Sequence, residues 1–494
     1  MTASCRQRFL PPGERDLAFV HKALQQRLHA ENLGAMAVAS AAGTLRDADR
    51  AFVGHPVGLA YLAFMEAFER FSFYGMQALL VLYMTSRLLL PGHVEHVAGF
   101  AAFRAGVEGV FGPMRPQALA SEIFGLYAGF CSFTPVLGGL IGDRLLGQRR
   151  AVLLGGTMMA AGHFLMAFEG SFLTALFLLM TGCGLLKGNI SAQVGNLYRG
   201  ADRRREAAFQ IFYLAANVGV LGAPLVCGTL GELVGWHWGF AAAGVGMLVS
   251  LGIYLAGWRW LPPDTLPAPG SEVVEKPTLT AADIPTLAAM GVLLVVVALF
   301  WVANGEVLNA YMLWAKGHLD RRLGGLTLPV TWLQSIQAAL AIAIAPLLIR
   351  LWNAQAVRGR EPSALGKMAI GCGLAVGAYL LLAGASALSG GGLTPLAWAV
   401  AFHLLMQTGY LFVYPIGMAL FSRAAPAAIN ALMIGIYFLS VFAGSLLVGW
   451  VGQFYERLDA PAFWLLHAAS AAAAGLILAL GWRPLSQALG AEKR

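Results

Sequence analysis

The sequence predicts an all-α membrane protein with 12 transmembrane helices in two six-helix bundles. Three observations carry the prediction. Of the 494 residues, 58% are hydrophobic and 12% charged, whereas a soluble globular chain carries about 25% charged residues. Twelve apolar stretches are each long enough to cross a hydrocarbon core of about 30 Å as a helix. One polar, proline-rich break at 262–283 divides them six and six. The same balance excludes a disordered chain, which needs few apolar residues and many charges. The 60 glycines suit close packing of membrane helices.

Residues 1–53 are polar, mixed in charge and lack an apolar run long enough for a secretory signal, so they read as a soluble, cytoplasmic N-terminal extension. The first bundle, 54–261, holds spans 1 to 6 at 57–85, 120–146, 150–168, 171–197, 206–234 and 237–261. The stretch 86–119 is long for a loop, and its Phe, Val and Gly content predicts a short surface helix. The cytoplasmic linker follows at 262–283. The second bundle, 284–482, holds spans 7 to 12 at 285–315, 329–352, 367–388, 393–421, 429–454 and 460–482. Residues 483–494 form a cytoplasmic tail.

Lys and Arg number 14 in the loops after spans 2, 4, 6, 8 and 10 but seven in the odd-numbered loops, and the termini add ten. Cationic loops stay in the cytoplasm, so both termini and the linker are expected there, in a multi-pass plasma (inner) membrane protein. The net charge of +8 therefore describes topology and a lipid bilayer partner, with no nucleic acid partner. The five cysteines (Cys5, Cys131, Cys183, Cys227, Cys372) share no metal-ligand spacing and read as small core residues.

Five charges lie deep inside spans: Glu66, Glu69 and Arg70 in span 1, Lys187 in span 4 and Glu306 in span 7. Each costs several kcal/mol near a bilayer centre, so such residues pair, face a cavity, or carry protons or substrate. Three acids against two bases leave one carboxylate without a partner, free to exchange a proton, as proton coupling requires. Glu66, Arg70, Phe73 and Gln77 are spaced by four, seven and eleven residues and share one helical stripe, flanked by Glu69 and Tyr74. Lys187 opens a polar segment running through Gly188, Asn189 and Ser191, and Asn217 lies in span 5. Glu122 and Asp143 stand near span ends and read as interfacial. No His-rich cluster, G-x-S-x-G or phosphate loop is present, so no enzyme is expected, and neither metal nor cofactor: the proton gradient is the energy source.

The run Glu66-x-x-Glu69-Arg70-Phe71-x-x-Tyr74-Gly75 resembles a specific motif of the proton-coupled oligopeptide transporter (POT/PTR) family of the major facilitator superfamily. Similar matches are Gly138-Gly139 through Asp143-Arg144 to Gly147, Lys187, and Phe212-Tyr213-x-x-x-Asn217-x-Gly219. Others are Gln334-Ser335 with Ala345-Pro346, Gly359-Arg360-Glu361-Pro362-Ser363, and Met433-x-Gly435. The resemblance spans roughly 54–482. It implies a major facilitator fold and a symporter importing di-/tripeptides or peptide-like compounds by alternating access. Glu66, Glu69, Arg70, Lys187 and Glu306 would handle the proton, with Lys187 pairing with the span 1 acids. Tyr74, Gln77, Tyr127, Ser132, Asn189, Asn217, Trp301, Gln337, Tyr410 and Ser440 would meet the substrate. Asp143 with Arg144, Arg149 and Arg150 would hold the inner gate by ion pairs.

The chain also departs from the family. Gln77 stands where an arginine is usual, and Tyr410 follows Thr408-Gly409 where a glutamate is usual. Ser132 and Phe73 replace tyrosines, and Gln337 an asparagine. Gly305 takes the place of the span 7 acid, four residues after Trp301, with Glu306 one position later. Proton machinery is kept while both charged ends of the peptide clamp are rewritten. Two other readings stay open: a proton-coupled carrier of a non-peptide or modified-peptide solute, and a transport-like membrane sensor.

Overall fold

The computed structural model describes residues 49–198, 202, 204–264, 266, 278–426, 428–429 and 433–490. Most of the expected N-terminal extension, most of the linker and the end of the tail lie outside them. Two units are distinguished, Met1–Ala60 and Tyr61–Arg494; the first contributes a Phe52–His55 bridge and the site lies in the second.

Twelve long helices follow one another. In the first half they are Val57–Tyr83, Pro116–Ile141, Gln148–Leu165, Phe172–Asn196, Arg204–Ala223 and Trp236–Ala256. In the second they are Ile284–Gly305, Trp332–Val357, Ala364–Leu388, Leu396–Ala424, Met433–Gly452 and Ala460–Leu480. Among the described residues, ten segments are long and apolar enough to cross a membrane. Span 1 falls short because Glu66, Glu69, Arg70 and Gln77 lower its hydropathy; span 3 is short and opens with Arg149 and Arg150. The expected surface helix is Phe100–Phe111.

Two irregularities place functional residues. Span 5 ends in two wide turns, Pro224–Gly228 and Leu230–Val234; Pro224 has no N–H to donate, so the helical ladder is interrupted there. Span 7 breaks after Gly305: one tight turn (Glu306–Leu308), an irregular Asn309, then a second helix, Ala310–His318. The 285–315 stretch was read as continuous, because its hydropathy does not change across the break.

Spans 2 and 11 join the halves at close range. A Cβ at Gly125 would stand 2.6 Å from the Ser445 carbonyl oxygen and 2.7 Å from Gly449 Cα, so only glycine lets these helices approach so closely. Hydrogen bonds between the halves gather at the end opposite the linker. Glu232, at the end of span 5, accepts from the Val330 and Thr331 N–H groups (both 2.9 Å) and the Thr331 hydroxyl (2.7 Å). It thereby satisfies orphan donors where span 8 begins. Trp332 donates to Thr229 (2.8 Å), Lys316 to Ser86 (2.7 Å) and Gln117 to the Gly452 carbonyl (3.1 Å). At the linker end the first half bonds to itself: Arg149 donates from its side chain to the Leu261 and Pro262 carbonyls and from its backbone to Asp264.

Candidate functional site

The span 1 stripe forms as its spacing requires. Glu66 and Glu69 are buried, at 1% and 0% exposure. Arg70 Nε donates to Glu66 Oε1 at 2.7 Å and lies 3.4 Å from Glu69 Oε2. Glu66 Oε2 and both Glu69 oxygens accept no hydrogen bond. One guanidinium thus serves two buried carboxylates, and Glu66 holds the better share.

Lys187 lies beside the cluster. Among the described residues it makes no ion pair within 4 Å of either glutamate; its Nζ lies 3.6 Å from the Phe73 ring centroid. Tyr127 stacks on Phe73, with ring centroids 6.2 Å apart. The ring of Phe73, in the place of a family tyrosine, offers Lys187 an aromatic face beside the acids.

Glu306 lies elsewhere. It is fully buried, but inside the second half and apart from the span 1 cluster. Its Oε1 accepts the Ala310 N–H (2.9 Å), capping the helix that restarts after the break, and Asn309 Nδ2 lies 3.5 Å from Oε2. His467 Nε2 of span 12 is 3.4 Å from Oε2, while His467 Nδ1 is 2.9 Å from the Phe463 carbonyl. A carbonyl only accepts, so Nδ1 carries a proton and Nε2 faces the carboxyl. Glu306 and His467 are therefore buried neighbours within the second half. Glu306 thus has its own neighbour in the second half, while Glu122 joins Glu66 and Glu69 as a buried acid of the first. The offset that brings this about is one residue, about 100° of helix; Gly305, in the usual acid position, packs against Val448 and Trp301.

The substrate set divides. Tyr410 stacks on Tyr414 (5.3 Å, 15°), and Trp301 packs 5.4 Å from Tyr414. Tyr74, Tyr213, Tyr410 and Tyr414, from spans 1, 5 and 10, lie near one another. Gln77 is buried and Gln337 half-buried. Four other members hydrogen-bond to backbone carbonyls. Asn189 donates to the Gly138 (2.9 Å) and Leu185 (2.8 Å) carbonyls and fastens span 4 to span 2. Ser440 donates to Tyr437 (2.6 Å), Ser132 to Ala128 (3.0 Å) and Asn217 to Tyr213 (2.8 Å), each to a carbonyl of its own helix. Short polar side chains in membrane helices satisfy themselves this way whichever side they face.

The residues expected at the inner gate take other partners in this structure. Asp143 accepts from Gln148 (3.0 Å), which in turn accepts from Asn196 (3.0 Å). Among the described residues Asp143 has no ion pair with Arg144, Arg149 or Arg150, and Arg149 is committed to the start of the linker. Glu122 is not interfacial: it is 0% exposed, between spans 2 and 11. The sequence reading missed Tyr414, Glu232 and His467. Tyr414 carried a signal, four residues after Tyr410 on the same helical face; the other two carried none.

The chain matches the family described as PTR2, POT family, over residues 149–276 and 271–465. It is 32% identical over 475 residues to the peptide transporter YePEPT of Yersinia enterocolitica, covering 82% of this chain and 88% of that protein. It is 26% identical over 511 residues to a di-/tripeptide transporter of Lactococcus lactis subsp. cremoris, covering 90% and 99%. The crystal structure of a mutant peptide transporter POT in complex with alafosfalin superposes with a TM-score of 0.78 at 27% identity, covering 89% of this chain and 97% of that one. With the buried Glu66–Glu69–Arg70 cluster, the Lys187 facing it and the two six-helix halves, these likenesses settle the family: the chain belongs to the POT family and has the major facilitator fold.

Proposed function

We propose that the chain is a proton-coupled symporter importing short peptides across the plasma membrane by alternating access, with the linker end cytoplasmic. The relatives named as peptide and di-/tripeptide transporters support the cargo. The hydrogen bonds around Glu232, Lys316 and Gln117 then close the outside. The single observation that carries the coupling is Glu69: buried, 3.4 Å from a guanidinium already committed to Glu66, and accepting no hydrogen bond. Of the two span 1 carboxylates it has the weaker hold on Arg70. Protonating it releases Arg70 wholly to Glu66 and removes the negative charge that faces Lys187. The test is uptake into liposomes under an imposed pH gradient. Saturable, gradient-dependent accumulation of a di- or tripeptide is expected, and its absence overturns the reading in favour of a sensor.

The lining supports a narrower cargo. Trp301, Gln337, Tyr410 and Tyr414 carry no charge, and Glu306 is occupied by His467. A free peptide amine in this cavity finds hydroxyls and rings rather than a carboxylate. Peptides with a blocked or modified amino terminus therefore fit at least as well as free ones.

A further inference from the structure

Glu122 is used by nothing above. It lies about two turns inside the closed end of span 2 and is 0% exposed, and neither carboxylate oxygen has a hydrogen-bond partner. Its side chain lies across Gly449 of span 11: a Cβ there would stand 3.0 Å from Glu122 Cα and 3.1 Å from Oε2. Its burial is therefore a product of the contact between the two halves, and ends when they part.

No neighbouring element supplies a counter-charge. Around it on span 2 are Gln117 and Ser121, hydrogen-bonded to each other (3.0 Å). Span 11 offers Ser445, Gly449 and Gly452. From span 7, Asn309 packs at Gly452 beside Ser121, with Glu306 behind it held by His467 and Ala310. Arg115 lies 4.0 Å from Glu456 in the loops, and Arg87 and His93 are both held by Glu169. A lone ionised carboxylate in a dry contact costs several kcal/mol, so the closed contact requires the neutral acid.

We propose that Glu122 is a pH-sensing latch on the outer end: the end closes when Glu122 takes up a proton from the outside and reopens when it gives that proton back. In closing, hydronium transfers one proton to the carboxylate and leaves water; in reopening, water that enters between spans 2 and 11 accepts it. Both transfers occur on one side of the membrane. Glu122 therefore sets the outside-pH dependence of closure without adding to the protons carried per peptide. The inference rests on the alternating-access reading above, and on Glu122 as a positioning residue that never touches cargo.

The test uses the full chain with its natural cysteines replaced and spin labels at Val110→Cys and Leu326→Cys, both exposed and in opposite halves. In the otherwise wild-type protein the open-to-closed ratio of the outer end should rise with pH, by up to about tenfold per unit for one proton. In Glu122→Gln, neutral at every pH, it should change less than about twofold over the same range. Gly449→Ala, whose methyl group collides with the carboxyl, should raise the open fraction at all pH values. In unlabelled protein, Glu122→Gln should keep the wild-type proton-to-peptide ratio. A wild-type pH dependence retained in Glu122→Gln overturns the latch, as does a changed ratio or an unshifted Gly449→Ala. Should Glu122→Gln fail to fold, Gly449→Ala and the infrared band of a protonated carboxyl in the wild type decide the matter: absence of either effect overturns it. Failure of the wild type to exchange peptide at all overturns the transport reading instead, and leaves the distance measurement intact.

Discussion

Glu306 stands one residue from the place where the family carries its span 7 acid, so the expectation from resemblance is that neutralising it destroys proton coupling. The geometry predicts otherwise. In Glu306→Gln the amide oxygen still accepts the Ala310 N–H, and the amide N–H faces His467 Nε2. Asn309 keeps the Val448 carbonyl. With the cap preserved and an N–H facing His467, the cost should be under about 1 kcal/mol. Glu306→Ala is different: it orphans a buried N–H, worth about 1–3 kcal/mol, and leaves a cavity worth a comparable amount, together on the order of 3 kcal/mol. We expect the Gln variant to accumulate peptide under a pH gradient at no less than about half the wild-type rate, which corresponds to a change below about 0.5 kcal/mol in the rate-limiting step. The Ala variant should lose thermal stability in detergent whatever its transport. The assays are initial uptake into liposomes and thermal unfolding of the same preparations. A Glu306→Gln protein with wild-type stability and no concentrative uptake would refute the reasoning and return Glu306 to the coupling machinery.

Four further outcomes follow. Lys187→Ala should abolish gradient-driven uptake. Phe73→Leu removes the ring beneath Lys187, a desolvated contact worth about 2 kcal/mol; it should slow initial uptake by about tenfold or more as the lysine falls onto Glu69, and a wild-type rate would contradict this. In competition assays, N-acetylation should weaken a dipeptide by less than about threefold, because no carboxylate is lost; a strong preference for the free amine would mean that an acid reaches the cavity. Glu232→Ala breaks three hydrogen bonds to the start of span 8 and should shift the outer end towards open by about tenfold or more, at 1.4 kcal/mol per decade; labels at positions 110 and 326 read this directly.

The fold was legible in the sequence because hydropathy acts on whole segments. Twelve stretches, their six-and-six division and the helix within 86–119 all sum over many residues. Span 1 was legible for the opposite reason: three charges in an apolar helix admit few structural explanations. Single polar residues were much less legible. Asn189 and Ser440 bond carbonyls of the helices around them, and residue type alone does not distinguish that from facing a cavity. The partner of Glu306 lies in span 12, so no spacing rule connects it to span 7. Glu122 was assigned to the interface from its distance to a span end, yet the glycines of span 11 bring a second helix over it, and that approach is a property of the pair.

The central claim is that a proton moves through the span 1 carboxylates, with Glu69 as its acceptor. Its most direct test is Glu69→Gln, which keeps shape and hydrogen-bonding reach but fixes the neutral form. Two measurements on the same liposomes suffice: concentrative peptide uptake under an imposed pH gradient, and exchange of labelled for unlabelled peptide with no gradient. Exchange needs no net proton movement. The account predicts that uptake falls by about a hundredfold or more, as loss of about 2.7 kcal/mol implies, while exchange stays within about threefold of wild type. Equal loss of both would contradict it, and would make Glu69 a residue of folding or binding rather than of coupling.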